Sequence, residues 1–483
     1  MEAISLTKVL FVEPPKDLWF VMGEYLPPPY GMLQLAAYLE SQIKNVDIEV
    51  LDCQAMSLDW EKLEKRMESF NPDIVASSGF ATCNAYVTAR TLETAKKINP
   101  EILTITGGQH FTITAQESLE AYPEMDVIAR GEGEQTLVEM TKAFNETRGN
   151  PKLANIKGIS FRHGKLIKHN PPRPLMENLD DLPFPGYHFV KDYVHKYHFK
   201  MMARPNAGYG MIEASRGCPH RCTFCSQWKH WQGTWRHKSI KRVVDEIEFL
   251  HNNYGNRLVW LTDDNFGLGK RMEELCDQLI SRGFTDDLTT FMQARCDDVV
   301  KNKDQLPKMY KAGINYLLLG VESNSKFTLN SFRKGTDPED NRNAVRLLKE
   351  NGIFSQATCI IGERKDSART IHELREFINF LDPDLAIFMI LTPYPGTDLF
   401  EEAKRNGWIE DWNWANYDMI HAIMPTETLT REEVQQELYR CYRSFFGSLH
   451  RRVQGFFSNN QIKRRVYRYM AGQNVLRQLR SLG

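Results

Sequence analysis

The sequence is organised around one stretch near its middle, Arg216-Gly217-Cys218-Pro219-His220-Arg221-Cys222-Thr223-Phe224-Cys225. It places three thiols at the spacing CxxxCxxC, directly after a short apolar run at residues 210–214. A cubane [4Fe–4S] cluster is normally held by four cysteines, so three thiolates leave one iron open to another ligand. An open metal position is typical of a catalytic site, whereas a structural metal site is closed.

The same cysteines allow a second interpretation, a structural zinc site. Cys₃His is an ordinary zinc ligand set, and three nearby histidines could supply the fourth ligand: His220, His230 and His237. On that interpretation the protein is a zinc- or cluster-stabilised binding module without catalysis. The sequence on either side of the cysteines favours the catalytic interpretation.

The cysteines lie within a region, residues 208–400, in which short apolar runs alternate with helical patterns. Six runs are predicted to be strands: 209–215, 257–263, 289–294, 315–321, 355–361 and 385–391. Helical patterns separate them, such as 238–253, 270–282 and 337–351. Six βα units form a partial (βα)6 barrel, and in parallel barrels the active site lies on the loops that follow the strands.

The cysteine motif at the end of the first barrel strand resembles that of the radical S-adenosylmethionine (SAM) enzymes. The resemblance implies that Cys218, Cys222 and Cys225 hold a [4Fe–4S] cluster and that the amine and carboxylate of SAM chelate its fourth iron. It also implies reductive cleavage of SAM to a 5′-deoxyadenosyl radical. Phe224, inside the motif, is placed among the SAM-binding residues.

Polar residues follow the next barrel strands where that family binds SAM. Asp263 and Asp264 follow the second strand and could accept hydrogen bonds from the SAM ammonium. Arg295 ends the third strand, and a guanidinium pairs bidentately with a carboxylate. Glu322 ends the fourth and could accept from two ribose hydroxyls. Each has an ordinary alternative: a helix cap for the aspartates, a surface ion pair for the other two.

Upstream, residues 8–145 show a second alternation of strands and helices. Five strands are predicted, at 8–12, 48–52, 73–78, 102–106 and 126–129, with helices at 31–41, 59–70 and 84–98. This order implies an α/β, doubly wound, Rossmann-like parallel sheet that binds ligands at the carboxyl ends of its strands. Three polar or glycine-rich turns lie at those ends: 77–79, 107–110 and 131–134. Glycine there lets the backbone approach a cofactor closely, although each turn alone could simply reverse the chain.

Placed before a radical SAM motif, these turns resemble the cobalamin-binding domain of one large radical SAM subfamily. The resemblance covers about residues 5–145 and includes Pro27-Pro28-Pro29-Tyr30-Gly31. It implies that the cobalamin-binding residues are Tyr30, Gly31, Ser77, Ser78, Gly107, Gly108, Gln109, His110, Gly131, Glu132 and Gly133. Residues 13–31 contain no histidine, so the lower face of cobalamin should lack a histidine from that loop. His110 is expected to form hydrogen bonds rather than to bind the metal.

The sequence therefore predicts four segments: a cobalamin-binding domain at 1–150, a connector at 151–205, the SAM barrel at 206–400 and a mainly helical domain at 401–483. The connector is rich in proline and contains a predicted hairpin at 158–168. The last segment opens with a group of aromatic residues that is expected to pack as a lid against the barrel or to line a substrate pocket. Residues 441–483 contain nine Lys or Arg and no Asp or Glu. They form either a solvated helix face or a docking surface for an acidic partner.

Composition limits the protein class. The 483 residues are 42% hydrophobic and 25% charged, with a formal net charge of −1, so no nucleic-acid partner is expected. The nine cysteines are scattered, which is typical of reduced thiols in a cytosol. Residues 1–8 lack the features of a signal peptide, and the longest apolar runs are far shorter than the ~20 residues of a membrane span. A soluble, cytoplasmic protein is predicted, and the resemblance to the radical SAM enzymes implies that it works anaerobically.

The combined resemblance, with Tyr417-Asp418-Met419-Ile420-His421 in the C-terminal part, is to the cobalamin-dependent radical SAM enzymes. It implies methylation of an unactivated carbon through a 5′-deoxyadenosyl radical and methylcobalamin, with electrons from a ferredoxin- or flavodoxin-type donor. A protein or peptide side chain such as glutamine is the suggested substrate. The alternative enzyme is a non-methylating tetrapyrrole cyclase or oxidoreductase similar to the anaerobic magnesium-protoporphyrin monomethyl ester cyclase.

Overall fold

The structure is a computed structural model, which describes residues 6–16, 25–79, 81–147, 149, 151–202 and 207–473. The chain divides into two compact units. Unit 1 comprises Met1–Leu18 and Pro28–Lys196, and unit 2 comprises Trp19–Pro27 and Tyr197–Gly483. Within the described ranges, none of the helices has the length and apolar character that crossing a membrane requires.

Unit 1 is built on one seven-stranded sheet. Its strands are β1 Thr7–Glu13, β2 Val46–Asp52, β3 Ile74–Ser78, β4 Leu103–Gly107, β5 Val127–Ala129, β6 Ile159–His163 and β7 Leu166–His169. Their order is β2-β1-β3-β4-β5-β6-β7, and the first five are parallel. In β1, Val9 to Val12 are at most 1% exposed, as expected for a parallel strand covered on both faces.

Helices connect the parallel strands of unit 1. They are α1 Tyr30–Gln42, α2 Trp60–Phe70, α3 Ala85–Ile98, α4 Gln109–Ile113, α5 Ala115–Ala121 and α6 Glu134–Thr147. Local sequence sets their ends: the Asp59 carboxylate accepts the Lys62 amide at 2.9 Å before α2, and Asn71 adopts a left-handed conformation after it. The predicted strands and helices of this region lie within two residues of the observed ones.

The region predicted as a connector contributes to unit 1. The hairpin β6–β7 pairs antiparallel with β5 and extends the sheet at its edge. Unit 1 accordingly extends to Lys196, beyond the predicted boundary at residue 150. The hairpin itself was predicted, but its pairing partner was not, because pairing along a sheet edge has no local sequence signal.

Unit 2 contains a six-stranded parallel sheet in chain order. The strands are β8 Gly208–Ile212, β9 Asn256–Leu261, β10 Thr289–Arg295, β11 Ile314–Glu322, β12 Phe354–Ile361 and β13 Leu385–Ile390. All residues of β12 are buried. Six parallel strands paired in sequence order, each reached through a helical connection, give the predicted partial barrel.

The helices of unit 2 cover this sheet and form the C-terminal part. They are α7 Gln227–His230, α8 Ile240–Tyr254, α9 Lys270–Arg282, α10 Cys296–Lys301, α11 Leu306–Lys311, α12 Lys326–Ser331, α13 Pro338–Glu350, α14 Ala368–Leu381, α15 Asp398–Arg405, α16 Arg431–Gly447, α17 Leu449–Phe456 and α18 Gln461–Gln473. The predicted final helix at 460–480 is observed to Gln473, and its remainder lies outside the described residues.

The C-terminal aromatic residues pack against the barrel. Tyr417 is fully buried, and Trp408 and Trp414 contact the same apolar cluster as Leu391. The Tyr442 hydroxyl donates to the Phe388 carbonyl at 2.8 Å, which fixes α16 against β13. These residues therefore form a packed cover over one side of the barrel, in keeping with the predicted lid.

Part of the basic C-terminal segment serves the fold. Arg451 is 7% exposed and bonds Asp382, and Lys463 is 8% exposed and pairs with Asp384 at 3.0 Å. Because these cations are buried and paired, they do not face a partner. Arg477 and Arg480 of the predicted basic segment lie outside the described residues.

Candidate functional site

The cysteine loop follows the first barrel strand and is fixed at several points. Ser215–Gly217 pairs antiparallel with Trp235–His237 and closes a small ribbon around the loop. Gly217 has φ +92°, and a Cβ there would lie 2.1 Å from the Thr234 carbonyl oxygen, so glycine is required. The Thr223 amide donates to the Phe332 carbonyl at 3.1 Å. The loop that carries the three thiols is thus held by the surrounding fold.

The three thiols lie close enough to influence one another. Burial raises the pKa of each thiol, and for Cys225 burial together with the charges of Asp264, Cys222 and Cys218 raises the pKa to about 12. A bound metal favours the thiolate and offsets this effect. In the described part of the chain, no three His, Cys, Asp or Glu side chains are placed to hold a single metal ion. A cubane is held at separate corner irons, so its thiolates need not converge on one ion, and the three thiols fit that group.

Asp263 and Asp264 follow β9 and differ in their partners. Asp263 is 1% exposed, accepts the Ala214 amide at 3.2 Å and accepts the Ser215 hydroxyl. Burial raises the pKa of Asp263 to about 6. Burial, and then the charge of Asp263, raise the pKa of Asp264 to about 7. The Asp263 carboxylate therefore fixes the backbone before the cysteine loop, and Asp264 is the better candidate to receive an ammonium group.

Trp231 positions Asp264. Its indole N–H donates to the Asp264 carboxylate at 3.1 Å. The guanidinium groups of Arg216 and Arg236 each lie 5.7 Å from its ring centroid. Sequence reasoning did not identify this residue, because an aromatic side chain gives no sign of which distant carboxylate it will meet.

Arg295 and Glu322 are brought together at the ends of β10 and β11. Arg295 is opposite Gly320 in the strand register, and Glu322 follows a register shift with φ +58°. The Arg295 guanidinium bonds the Asp297 carboxylate at 2.9 and 3.1 Å and donates to the Lys334 carbonyl at 2.6 Å. The Arg295 guanidinium is therefore already paired within the chain. The alternative role given for this residue was a surface ion pair, and the observed pair is instead at a buried position.

Lys334 is the main site residue that the sequence did not indicate. Its ammonium lies 2.6 Å from the Glu322 carboxylate, and both residues are at most 7% exposed. Burial lowers the pKa of Lys334, but Glu322 and Cys222 outweigh it and the pKa stays above its ordinary value. A Cβ on Gly320 would lie 2.5 Å from the Lys334 Nζ, so that glycine makes room for the pair.

Phe224 is partly buried and packs against an apolar cluster. Its ring meets the Phe332 ring edge-on, with centroids 5.0 Å apart, and packs against the buried cluster that includes Leu399. Phe332 is followed in the sequence by Arg333 and Lys334. The segment thus joins the cysteine loop to the ends of β10 and β11.

In unit 1 the predicted cobalamin residues gather at the carboxyl ends of β3, β4 and β5. Gly108 has φ +86°, and a Cβ there would lie 2.8 Å from the Ser78 hydroxyl. A Cβ on Gly107 would lie 2.9 Å from the Ala129 carbonyl. Around Gly31 and Gly131, by contrast, a Cβ would meet nothing within 4 Å. The edge combines tightly packed turns with open backbone, which fits the close approach of a large cofactor.

Other predicted cobalamin residues have contacts within the fold. The Ser77 hydroxyl donates to the Val12 carbonyl at 2.9 Å, and the Glu132 carboxylate accepts the Met176 amide at 2.6 Å. Gly133 packs against Leu35 of α1. The remaining members lie at the same edge: Tyr30 at the start of α1, and Gln109 and His110 in α4.

Replacing His110 with glutamine is expected to make the protein less sensitive to acid. Burial lowers the pKa of His110 to about 4 from an ordinary 6.5. Between these values the unfolded chain binds more protons than the folded one, so stability is lost as the pH falls from 6.5 to 4 and is unaffected above that range. The stability difference between wild type and His110→Gln should shrink by about 1–3 kcal/mol from pH 7.5 to pH 5.

Unfolding measured by hydrogen exchange of residues 103–113 across this pH range tests the expectation. The exposed His450→Gln is the control and should follow the wild type at every pH. Parallel curves of stability against pH for wild type and His110→Gln would contradict the expected effect of His110.

Two family profiles match the chain. The radical SAM superfamily profile matches residues 212–378, and the B12 binding domain profile matches residues 22–141. An uncharacterised methyltransferase of Pyrococcus horikoshii is 32% identical over 448 residues, which cover 92% of this chain and 93% of the relative. The anaerobic magnesium-protoporphyrin IX monomethyl ester cyclase of Rubrivivax gelatinosus is 32% identical over 425 residues, covering 87% and 74%.

Among solved structures, the radical SAM methyltransferase TsrM from Kitasatospora setae, with cobalamin and a [4Fe–4S] cluster bound, has the same fold. The TM-score is 0.72 over 99% of both chains, at 16% identity. Together these matches confirm the predicted fold class and the predicted cofactors, a [4Fe–4S] cluster, SAM and cobalamin.

Proposed function

We propose that this chain, which belongs to the cobalamin-dependent radical SAM enzymes, methylates an unactivated carbon atom of its substrate. The observation that supports methyl transfer is the match to a methyltransferase along nearly the whole of both chains. Carbon is the acceptor that calls for a radical, since nitrogen, oxygen and sulfur nucleophiles can take a methyl group directly from a sulfonium. The radical site and the cobalamin-binding fold within one chain fit this division of chemistry.

The cysteine loop and the strand ends have separate roles in this proposal. Cys218, Cys222 and Cys225 would hold the cluster, which would supply the electron for SAM cleavage, and bound cobalamin would supply the methyl carrier. Asp264 accepts from the SAM ammonium, and that positive charge favours its ionised form. Glu322 accepts from the ribose, and the Lys334 ammonium, 2.6 Å away, holds the Glu322 carboxylate in place. The packed aromatic cover around Tyr417 limits access of water.

The substrate class that we propose is a protein or peptide side chain such as glutamine. Among the described residues of the basic segment 441–483, three cations are exposed for contact with an acidic chain: Arg443, Arg452 and Arg468. Arg451 and Lys463 do not belong to this surface, because each is buried and pairs with a carboxylate, Asp382 and Asp384 respectively.

The test is anaerobic turnover of the reconstituted enzyme with SAM carrying a deuterated methyl group, cobalamin and dithionite, over a library of glutamine-containing peptides. 5′-Deoxyadenosine and a peptide labelled at carbon are expected together. In a parallel assay with a tetrapyrrole in place of the peptides, deoxyadenosine with an oxidised but unlabelled tetrapyrrole would contradict methylation and support the cyclase alternative, which is tested because the chain is also 32% identical to a cyclase. Labelled small molecules without labelled peptides would overturn only the substrate class.

A further inference from the structure

Three cations lie on the surface around the cysteine loop: Arg221, Lys229 and Arg333, here called the cationic rim. Arg221 is exposed, and the side chains of Lys229 and Arg333 are 32% and 62% exposed. The Asp398 carboxylate holds Lys229 at 2.6 Å and Arg333 at 2.9 Å. These four residues together carry an excess of positive charge in a defined arrangement.

Trp228 joins the rim to the cysteine loop. Its half-buried ring contacts both neighbouring cations, with its centroid 5.9 Å from the Arg221 guanidinium and 5.3 Å from the Lys229 ammonium. Its indole N–H donates to the backbone carbonyl of Cys222 at 3.1 Å. The surface cations are therefore one side chain away from a cysteine of the motif.

The other end of the rim is also fixed to the loop. Arg333 follows Phe332, whose carbonyl accepts the Thr223 amide at 3.1 Å. The Leu399 amide, one residue after Asp398, donates to the Thr223 carbonyl at 3.1 Å. A protein bound to the rim would thus sit directly over the cysteine loop.

We propose that the cationic rim docks an acidic, low-potential one-electron carrier protein that reduces the cluster. The inference rests on the proposed function, because reductive cleavage of SAM consumes one electron in each event. In the step the carrier loses one electron and the cluster gains it, with no proton transferred. Opposite charge speeds encounter and orients the partner, and an aromatic ring between two cations offers a flat contact at the centre.

The test measures binding of oxidised flavodoxin to the cluster-free full chain by interferometry, with ferredoxin as a second probe. In about 50 mM salt, Arg221→Glu/Lys229→Glu/Arg333→Glu should weaken the Kd for at least one carrier about 30-fold. In about 500 mM salt the difference should fall below about 3-fold, because exposed charges are screened. The single variant Arg221→Glu serves if the triple variant misfolds, because the Arg221 side chain contacts the Trp228 ring and is exposed. It should weaken the Kd about 3- to 10-fold.

The matched control reverses three other exposed cations of unit 2, Arg342, Arg346 and Arg369 on α13 and α14, and should bind like wild type. Unchanged binding of both carriers to the rim variants would overturn the proposal. With dithionite in place of a carrier, the reconstituted rim variant should form wild-type amounts of 5′-deoxyadenosine, and a loss there would also overturn it. If the wild type forms no 5′-deoxyadenosine with dithionite, that result would instead count against the proposed function.

Discussion

Cys222→Ala is expected to lower 5′-deoxyadenosine formation from SAM by more than about 100-fold and to remove the visible absorption of the reconstituted cluster. Loss of a residue that only supports a metal ligand already costs about 10- to 100-fold in metal affinity or activity, and loss of the ligand itself should cost more. Because Cys222 has its backbone carbonyl bonded to Trp228, the loop itself should keep its conformation in the variant.

Cys276→Ala is the control for this result. Cys276 is fully buried in α9, away from the motif in sequence, and its loss leaves a cavity that costs about 1 kcal/mol of stability. Cluster content and deoxyadenosine formation per folded enzyme should match the wild type. Full deoxyadenosine formation by Cys222→Ala, measured by chromatography, would show that Cys222 is not a ligand of the cluster that cleaves SAM.

Lys334→Met is expected to destabilise unit 2 by about 3–5 kcal/mol and to weaken SAM binding to the reconstituted enzyme. The change leaves the Glu322 carboxylate buried without its cation, and breaking a buried ion pair on one side carries such a cost. Glu322→Gln should cost a similar amount, because it leaves the ammonium unpaired. The double variant should recover most of the stability but none of the SAM affinity, since both polar groups toward the ribose are then changed.

Denaturant unfolding of the four proteins gives the coupling free energy, and equilibrium dialysis gives the SAM affinity. The exposed pair Arg346–Glu350 on α13 is the matched control, and its coupling should stay below about 1 kcal/mol. Equal coupling in the two pairs, or wild-type SAM binding by Glu322→Gln, would contradict the role assigned to Glu322 and Lys334.

Much of the fold was predictable because its signals are local. Runs such as residues 9–12 and 385–391 are apolar on both faces, and helical patterns separate the predicted strands, so the parallel strands of both sheets followed from alternation. The spacing of Cys218, Cys222 and Cys225 likewise indicated three ligands and an open position. The hairpin β6–β7 was predicted as an element, but its attachment to β5 was not.

The candidate site was predictable to the level of strand ends and no further. Four residues were chosen because they lie at the carboxyl ends of parallel strands, where the radical SAM enzymes that the sequence resembles bind SAM: Asp263, Asp264, Arg295 and Glu322. The sequence did not indicate which of these side chains already have partners within the protein. In the structure Asp263 bonds Ser215, and Arg295 bonds Asp297. Lys334 gave no signal at all, since a lysine after a short helix resembles any surface lysine.

The sequence by itself determined the two α/β units, the cysteine motif and the sheet edges that carry the candidate cofactor residues, because period and spacing are properties of neighbouring residues. Only the tertiary structure decided the partners of the charged groups. The Lys334 ammonium reaches Glu322 because Gly320 lacks a Cβ and β11 shifts register at its end. Such contacts depend on how distant segments meet in space, and a buried charge takes whichever partner lies within hydrogen-bonding reach.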